Sequence, residues 1–123
     1  MYTEKLMKIF KNPKNVGVIE NADAKGKVRS EICGDIMEIY LRIDKDKIKD
    51  IKFKTFGCLA SVISGSVLTE LVKGMKLNEV KKLKKQDVLK KMKGLPPIKF
   101  HCAELALNTL KKAIDEYEKK RKK

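Results

Sequence analysis

Tryptophan is absent from this 123-residue chain, aromatic residues make up 6% of it, and histidine occurs once. Arginine is confined to Arg29, Arg42 and Arg121. So few rings and forked guanidinium groups leave little with which to stack on or read nucleic-acid bases, and no recognition-helix, zinc-finger or stacking-platform pattern is present. The formal net charge of +14 is therefore read as a solvated lysine-rich surface, and no specific nucleic-acid partner is expected. Nowhere does an apolar run approach the roughly 18 residues that would suggest a membrane span. The N-terminal stretch MYTEKLMKIFKNP has neither the unbroken apolar segment nor the small-residue cleavage site of an export signal. A soluble, cytoplasmic protein with no membrane association is the expectation. Cysteine is also scarce, with three residues and no C-x-x-C pair. Three thiols cannot all pair within one chain, and the cytoplasm keeps thiols reduced, so metal binding or thiol chemistry is favoured over a disulfide framework.

What is present is enough for one compact fold. Apolar residues amount to 42%, no linker or repeat divides the chain, and a single domain over residues 1–123 is expected. Leu6, Met7 and Phe10 lie at helical spacing, and Asn12-Pro13 ends that helix because a residue before proline avoids helical angles. Residues 14 to 27 read as an irregular loop, followed by a short edge strand around Lys27 to Ser30. The period then becomes two: Met37, Ile39, Leu41 and Ile43 share one face, with Glu38, Tyr40 and Arg42 on the other. After a DKDK turn the alternation resumes through Ile51, Phe53 and Thr55, giving a hairpin with one wet face. Helical spacing returns after Gly57-Cys58 and ends at Gly74, and Asn78 and Asp87 are read as N-caps of two short lysine-rich helices. Gly94-Leu95-Pro96-Pro97 is expected to be extended. A last helix from His101 or Cys102 buries Ala106, Leu110, Ala113, Ile114 and Tyr117, and the tail from Lys119 is read as a frayed end. Strands first and helices mostly later predict an α+β domain, a small antiparallel sheet of about three strands with helices on one face.

The candidate chemistry sits where elements end. Cys33 stands at the entry to the hairpin, Cys58 follows its last strand at a helix start, and His101-Cys102 opens the final helix. Glycine follows Cys33 and precedes Cys58, removing bulk where a metal would approach. Helix N-termini favour the thiolate, the form that binds metal and attacks sulfur. A single cysteine is more often a small buried hydrophobe, a single histidine more often structural, and Asp35 would otherwise brace a turn. Three cysteines beside Gly, Asp and His at structural breaks are harder to dismiss. If the ends converge, Cys33, Cys58 and Cys102 with His101 or Asp35 form three sulfur ligands plus one harder ligand, a set that zinc would also accept. A cysteine hydrolase is disfavoured, because adjacent His and Cys do not readily pair and no orienting residue is evident.

The stretches YTEKLMKIFKNPKNVG, CGDIM, KFKTFGC, LTELVKG and LPPIKFHCAELALNTLKKAI together resemble the IscU/NifU-type iron–sulfur cluster scaffold family over essentially the whole length. The resemblance implies a scaffold or carrier and not a turnover enzyme. Such a protein receives sulfur from a cysteine desulfurase, iron from an iron donor and electrons from an electron donor, assembles a transient [2Fe–2S] cluster, and passes it to recipient apo-proteins. It implies Cys33, Cys58 and Cys102 as thiolate ligands, with Asp35 or His101 as the fourth, and Zn2+ as another occupant of the same site. Asp35 is the candidate for keeping the cluster transferable. Cys102 is the candidate persulfide acceptor, expected to face outward at its helix start. The LPPIK stretch, Leu95, Pro96, Pro97, Ile98 and Lys99, resembles the peptide recognised by a specialised DnaK-type chaperone, with Ile98 where valine is usual. Tyr2 matches an aromatic associated with transient dimerisation, so a monomer or transient dimer is expected. Leu-Ala-Ser follows Cys58 where many relatives have Gly-Ser-Ala. The presence of His101 and the compact length favour the IscU-type branch over the zinc-dependent SufU branch. The alternative function is a zinc-binding sulfur acceptor or adaptor that activates a cysteine desulfurase.

Overall fold

The computed structural model describes residues 3–32, 34–93 and 95–121. Helix α1 (Glu4–Lys11) starts at Thr3, whose hydroxyl accepts from the Leu6 N–H at 3.2 Å, and stops at Asn12 ahead of Pro13. Three antiparallel strands follow, β1 (Ala24–Arg29), β2 (Ile36–Asp44) and β3 (Lys47–Phe56), in the order β1-β2-β3. The β2–β3 turn contains only Lys45 and Asp46, with φ of 53° and 62°. Two left-handed residues in succession match the right-handed twist of the strands they join. The loop after α1 runs along the outer edge of β3, where Gly17 N–H donates to Phe53 O at 2.9 Å and Phe53 N–H to Asn15 O at 2.8 Å. That edge is thereby covered.

The sheet packs one face against the helices α2 (Leu59–Val72) and α5 (Phe100–Arg121), with α5 over β1 and β2 and α2 over β3. Met37, Ile39, Leu41, Ile51 and Phe53 from the strands meet Ile63, Leu68, Leu110 and Ile114 from the helices in a fully buried core. An α+β architecture with helices on one sheet face is what the period change along the sequence implies. Backbone approach is close at two glycines. A Cβ on Gly26 would lie 2.6 Å from Thr109 O, and one on Gly65 would lie 2.4 Å from the Phe53 ring. α2 is buried nearly all round, and two of its hydroxyls are satisfied within the helix, Ser64 donating to Ala60 O at 2.7 Å and Thr69 to Gly65 O at 2.8 Å.

Several local expectations are corrected. β1 begins at Ala24, inside the stretch read as a loop, because Ala24 and Gly26 alternate with Val28 toward α5 but are themselves too small or too flexible to give a strong strand signal. Tyr40 lies on the solvent side of the hairpin yet is 7% exposed. Its register partners Lys25 and Lys52 flank it, and the Lys25 ammonium sits 5.5 Å from the ring centroid. Asn78 and Asp87 are not N-caps. Helices α3 (Leu77–Lys81) and α4 (Lys85–Lys90) start after Lys76 and Lys84, and Glu79 and Asp87 reach back from the first turn to accept those residues' N–H groups. Pro96 is extended, but Pro97–Lys99 forms a 3₁₀ turn leading into α5, since proline's fixed φ and missing donor suit a first helical position. The last helix runs through Arg121, and Lys122 and Lys123 at the end of the tail read as frayed lie outside the described residues. Tyr2, Cys33 and Gly94 lie outside the described residues.

Candidate metal centre

Three chain segments converge beside the open end of the β2–β3 hairpin. Asp35 leads into β2, Cys58 is the N-cap residue of α2, and Cys102 is the third residue of α5. One ligand atom from each lies within 4.8 Å of the others. The Cys58 and Cys102 sulfurs are 3.7 Å apart, close enough to share an ion and too far for a disulfide. Asp35 Oδ2 accepts from the Cys58 N–H at 3.2 Å and from the Ser61 hydroxyl at 2.5 Å. The carboxylate thus satisfies a backbone donor at the α2 N-terminus while standing beside the sulfur of the same residue. Gly57 permits this approach, for a Cβ there would sit 2.5 Å from the Asp35 carboxyl carbon.

Two contributors escaped the sequence reading. Lys99, assigned only to the proline-rich stretch, brings its ammonium to 4.0 Å from Cys58 Sγ, because the 3₁₀ turn curls it back over the site. It supplies positive charge where thiolate ligands would gather negative charge. Ser61 follows Cys58 by one helical turn, so its spacing was visible, but a serine in a small-residue helix carries no distinguishing signal. Exposure corrects another expectation. Cys102 is fully buried and does not face outward, since the third position of α5 points into the core, whereas Cys58 is half-buried.

His101 is not one of the three residues whose donor atoms converge. Its Nε2 is buried and finds no hydrogen-bond partner among the described residues. The side chain lines a cavity of about 320 Å³ together with Ser30, Glu31 and Ile32, the residues that lead to Cys33. An imidazole nitrogen held out of water beside that loop retains its capacity to bind a metal.

The sequence matches the family model described as NifU-like N terminal domain over residues 1–123. The chain belongs to that family. This NifU-like domain is 43% identical over 120 residues to the iron-sulfur cluster assembly scaffold protein IscU 1 of Archaeoglobus fulgidus, covering 98% of this chain and 78% of that relative. It is 39% identical over 124 residues to the iron-sulfur cluster assembly scaffold protein IscU of Escherichia coli, covering 98% and 96%. Among solved structures it resembles a nitrogen-fixing NifU-like protein (N-terminal) from Brucella abortus, with a TM-score of 0.80 at 20% identity, covering 96% and 94% of the two chains. A putative iron-sulfur cluster assembly scaffold protein for the SUF system from Fervidobacterium islandicum gives a TM-score of 0.74 at 28% identity, covering 91% and 95%. In this NifU-like domain no helix is long and apolar enough to cross a membrane among the described residues.

Proposed function

We propose that this protein is a scaffold on which a transient [2Fe–2S] cluster is assembled and from which it is passed to apo-proteins. The observation that carries the reading is the convergence within 4.8 Å of donor atoms from Asp35, Cys58 and Cys102, contributed by three separate segments. The proposed ligands are Cys33, Cys58 and Cys102, with Asp35 or His101 as the fourth. A complete set of four thiolates suits a durable cluster, and one oxygen or nitrogen donor gives the exchangeable position a scaffold needs. The names of relatives about 40% identical over nearly the whole chain support a scaffold. The zinc-dependent adaptor has no comparable support.

In the proposed assembly a scaffold thiolate attacks the outer sulfur of a desulfurase persulfide; a new S–S bond forms, the old one breaks and the desulfurase thiolate leaves. Each transferred sulfur then takes two electrons to become sulfide. Two ferrous ions going to ferric supply half of the four electrons for two sulfides, and the electron donor supplies the rest. Cys102 is the proposed persulfide acceptor. Because it is buried, accepting sulfur requires a local opening around the start of α5. The proposed chaperone segment Leu95, Pro96, Pro97, Ile98 and Lys99 fits such opening. Ile98 is 79% exposed as a handle, while Leu95 is buried and Lys99 reaches Cys58, so grasping the stretch in extended form would disturb the site.

The test is anaerobic incubation of the reduced protein with ferrous iron, cysteine, a reductant and a catalytic amount of cysteine desulfurase, followed by absorption spectroscopy and assay of iron and sulfide. Sulfur-to-iron charge-transfer bands with matching iron and sulfide are expected, and each of Cys33→Ala, Cys58→Ala and Cys102→Ala should abolish them. A protein that stays colourless with the desulfurase of its own organism would refute the scaffold.

A further inference from the structure

Ser61 is fully buried in the first turn of α2 and touches two of the three converging donors. Its hydroxyl donates to Asp35 Oδ2 at 2.5 Å and lies 3.9 Å from Cys58 Sγ. Asp35 Oδ2 also accepts from the Cys58 N–H at 3.2 Å. A carboxylate oxygen has about two lone-pair directions, so these two donors engage that oxygen fully. Fastening the α2 N-terminus to the strand entry needs only the backbone bond. The hydroxyl adds a second, charge-assisted bond to the carboxylate whose oxygen converges with the two sulfurs.

We propose that Ser61 is a positioning residue that competes with the cargo metal for Asp35, holding the carboxylate as a deliberately weak ligand. The inference rests on the scaffold reading and assigns the lability of its oxygen ligand to this chain's own serine. When the hydroxyl is removed, the Cys58 N–H still orients the carboxylate. Positioning is then retained, while Oδ2 regains a lone pair, and the balance moves toward ligation.

Cobalt(II) alone is the probe, titrated anaerobically into the reduced full chain. Its sulfur-to-metal charge-transfer band reports thiolate binding, and its visible bands report the donor set. Ser61→Ala should bind cobalt about tenfold more tightly than the wild type, the size of one charge-assisted hydrogen bond no longer opposing ligation, with shifted visible bands. Installed on an Asp35→Ala background, the same substitution should change neither affinity nor spectrum. A purely structural serine would move the unfolding midpoint and leave that Asp35 dependence absent. Equal or weaker binding by Ser61→Ala, or an equal gain without Asp35, would overturn the proposal. Alanine is a strong helix former at this position, and Ser61→Gly removes the same hydroxyl if Ser61→Ala does not fold. A wild-type cobalt complex without the thiolate band would bring down the scaffold reading and this inference with it. A normal band with an unchanged Ser61→Ala refutes Ser61 alone.

Discussion

Asp35 carries two loads on one carboxylate, fastening the start of α2 through the Cys58 N–H and standing within ligand distance of two sulfurs. An oxygen ligand among thiolates exchanges more readily than the sulfur it replaces, because iron in such clusters prefers soft donors. Asp35→Ala should therefore still assemble a cluster but transfer it to an apo-ferredoxin several-fold more slowly, as followed by circular dichroism of the acceptor. Faster transfer would exclude the carboxylate as the labile ligand. Lys99 and Cys102 show how far burial departs from sequence position. Both lie near the start of α5, yet the lysine reaches the Cys58 sulfur while the cysteine is enclosed.

At the level of elements, the site exists because α2 and α5 begin at the same corner of the sheet, and this depends on how closely they lie on it. Gly26 allows α5 to approach β1 until a Cβ would overlap the backbone at Thr109 and Ala113. Gly26→Ala should destabilise the fold by about 2 kcal/mol, since backbone on both sides cannot yield as a flexible side chain would, and urea unfolding measures it. The hairpin was legible because Met37, Ile39 and Leu41 alternate cleanly, as was α5 from its stripe of Ala106, Leu110 and Ile114. β1 was only partly legible, being half lysine and glycine. The caps of α3 and α4 were misplaced because Asp87 caps by reaching backward from the first turn, and a sequence alone does not distinguish that from an N-cap.

Across the whole molecule, the three residues whose donor atoms converge are far apart in the chain. Asp35 and Cys58 are 23 residues apart, and Cys58 and Cys102 are 44 apart. An ion held by all three therefore cross-links the strand entry, α2 and α5, and binding to the folded state alone becomes folding free energy. Cobalt(II) at a hundred times its Kd should stabilise the protein by about 2.7 kcal/mol, visible as a higher thermal midpoint under anaerobic conditions. Cys58→Ala or Cys102→Ala should abolish most of that gain, and an unchanged gain would place the ion elsewhere. Sequence alone determined the α+β class, the hairpin, the long last helix and the residue types of the candidate site, because periodicity and turn chemistry are local. Tertiary structure decided which of those residues meet. The burial of Cys102 and the Ser61 and Lys99 contacts depend on the closeness of helix and sheet, and this arises only when remote segments pack together.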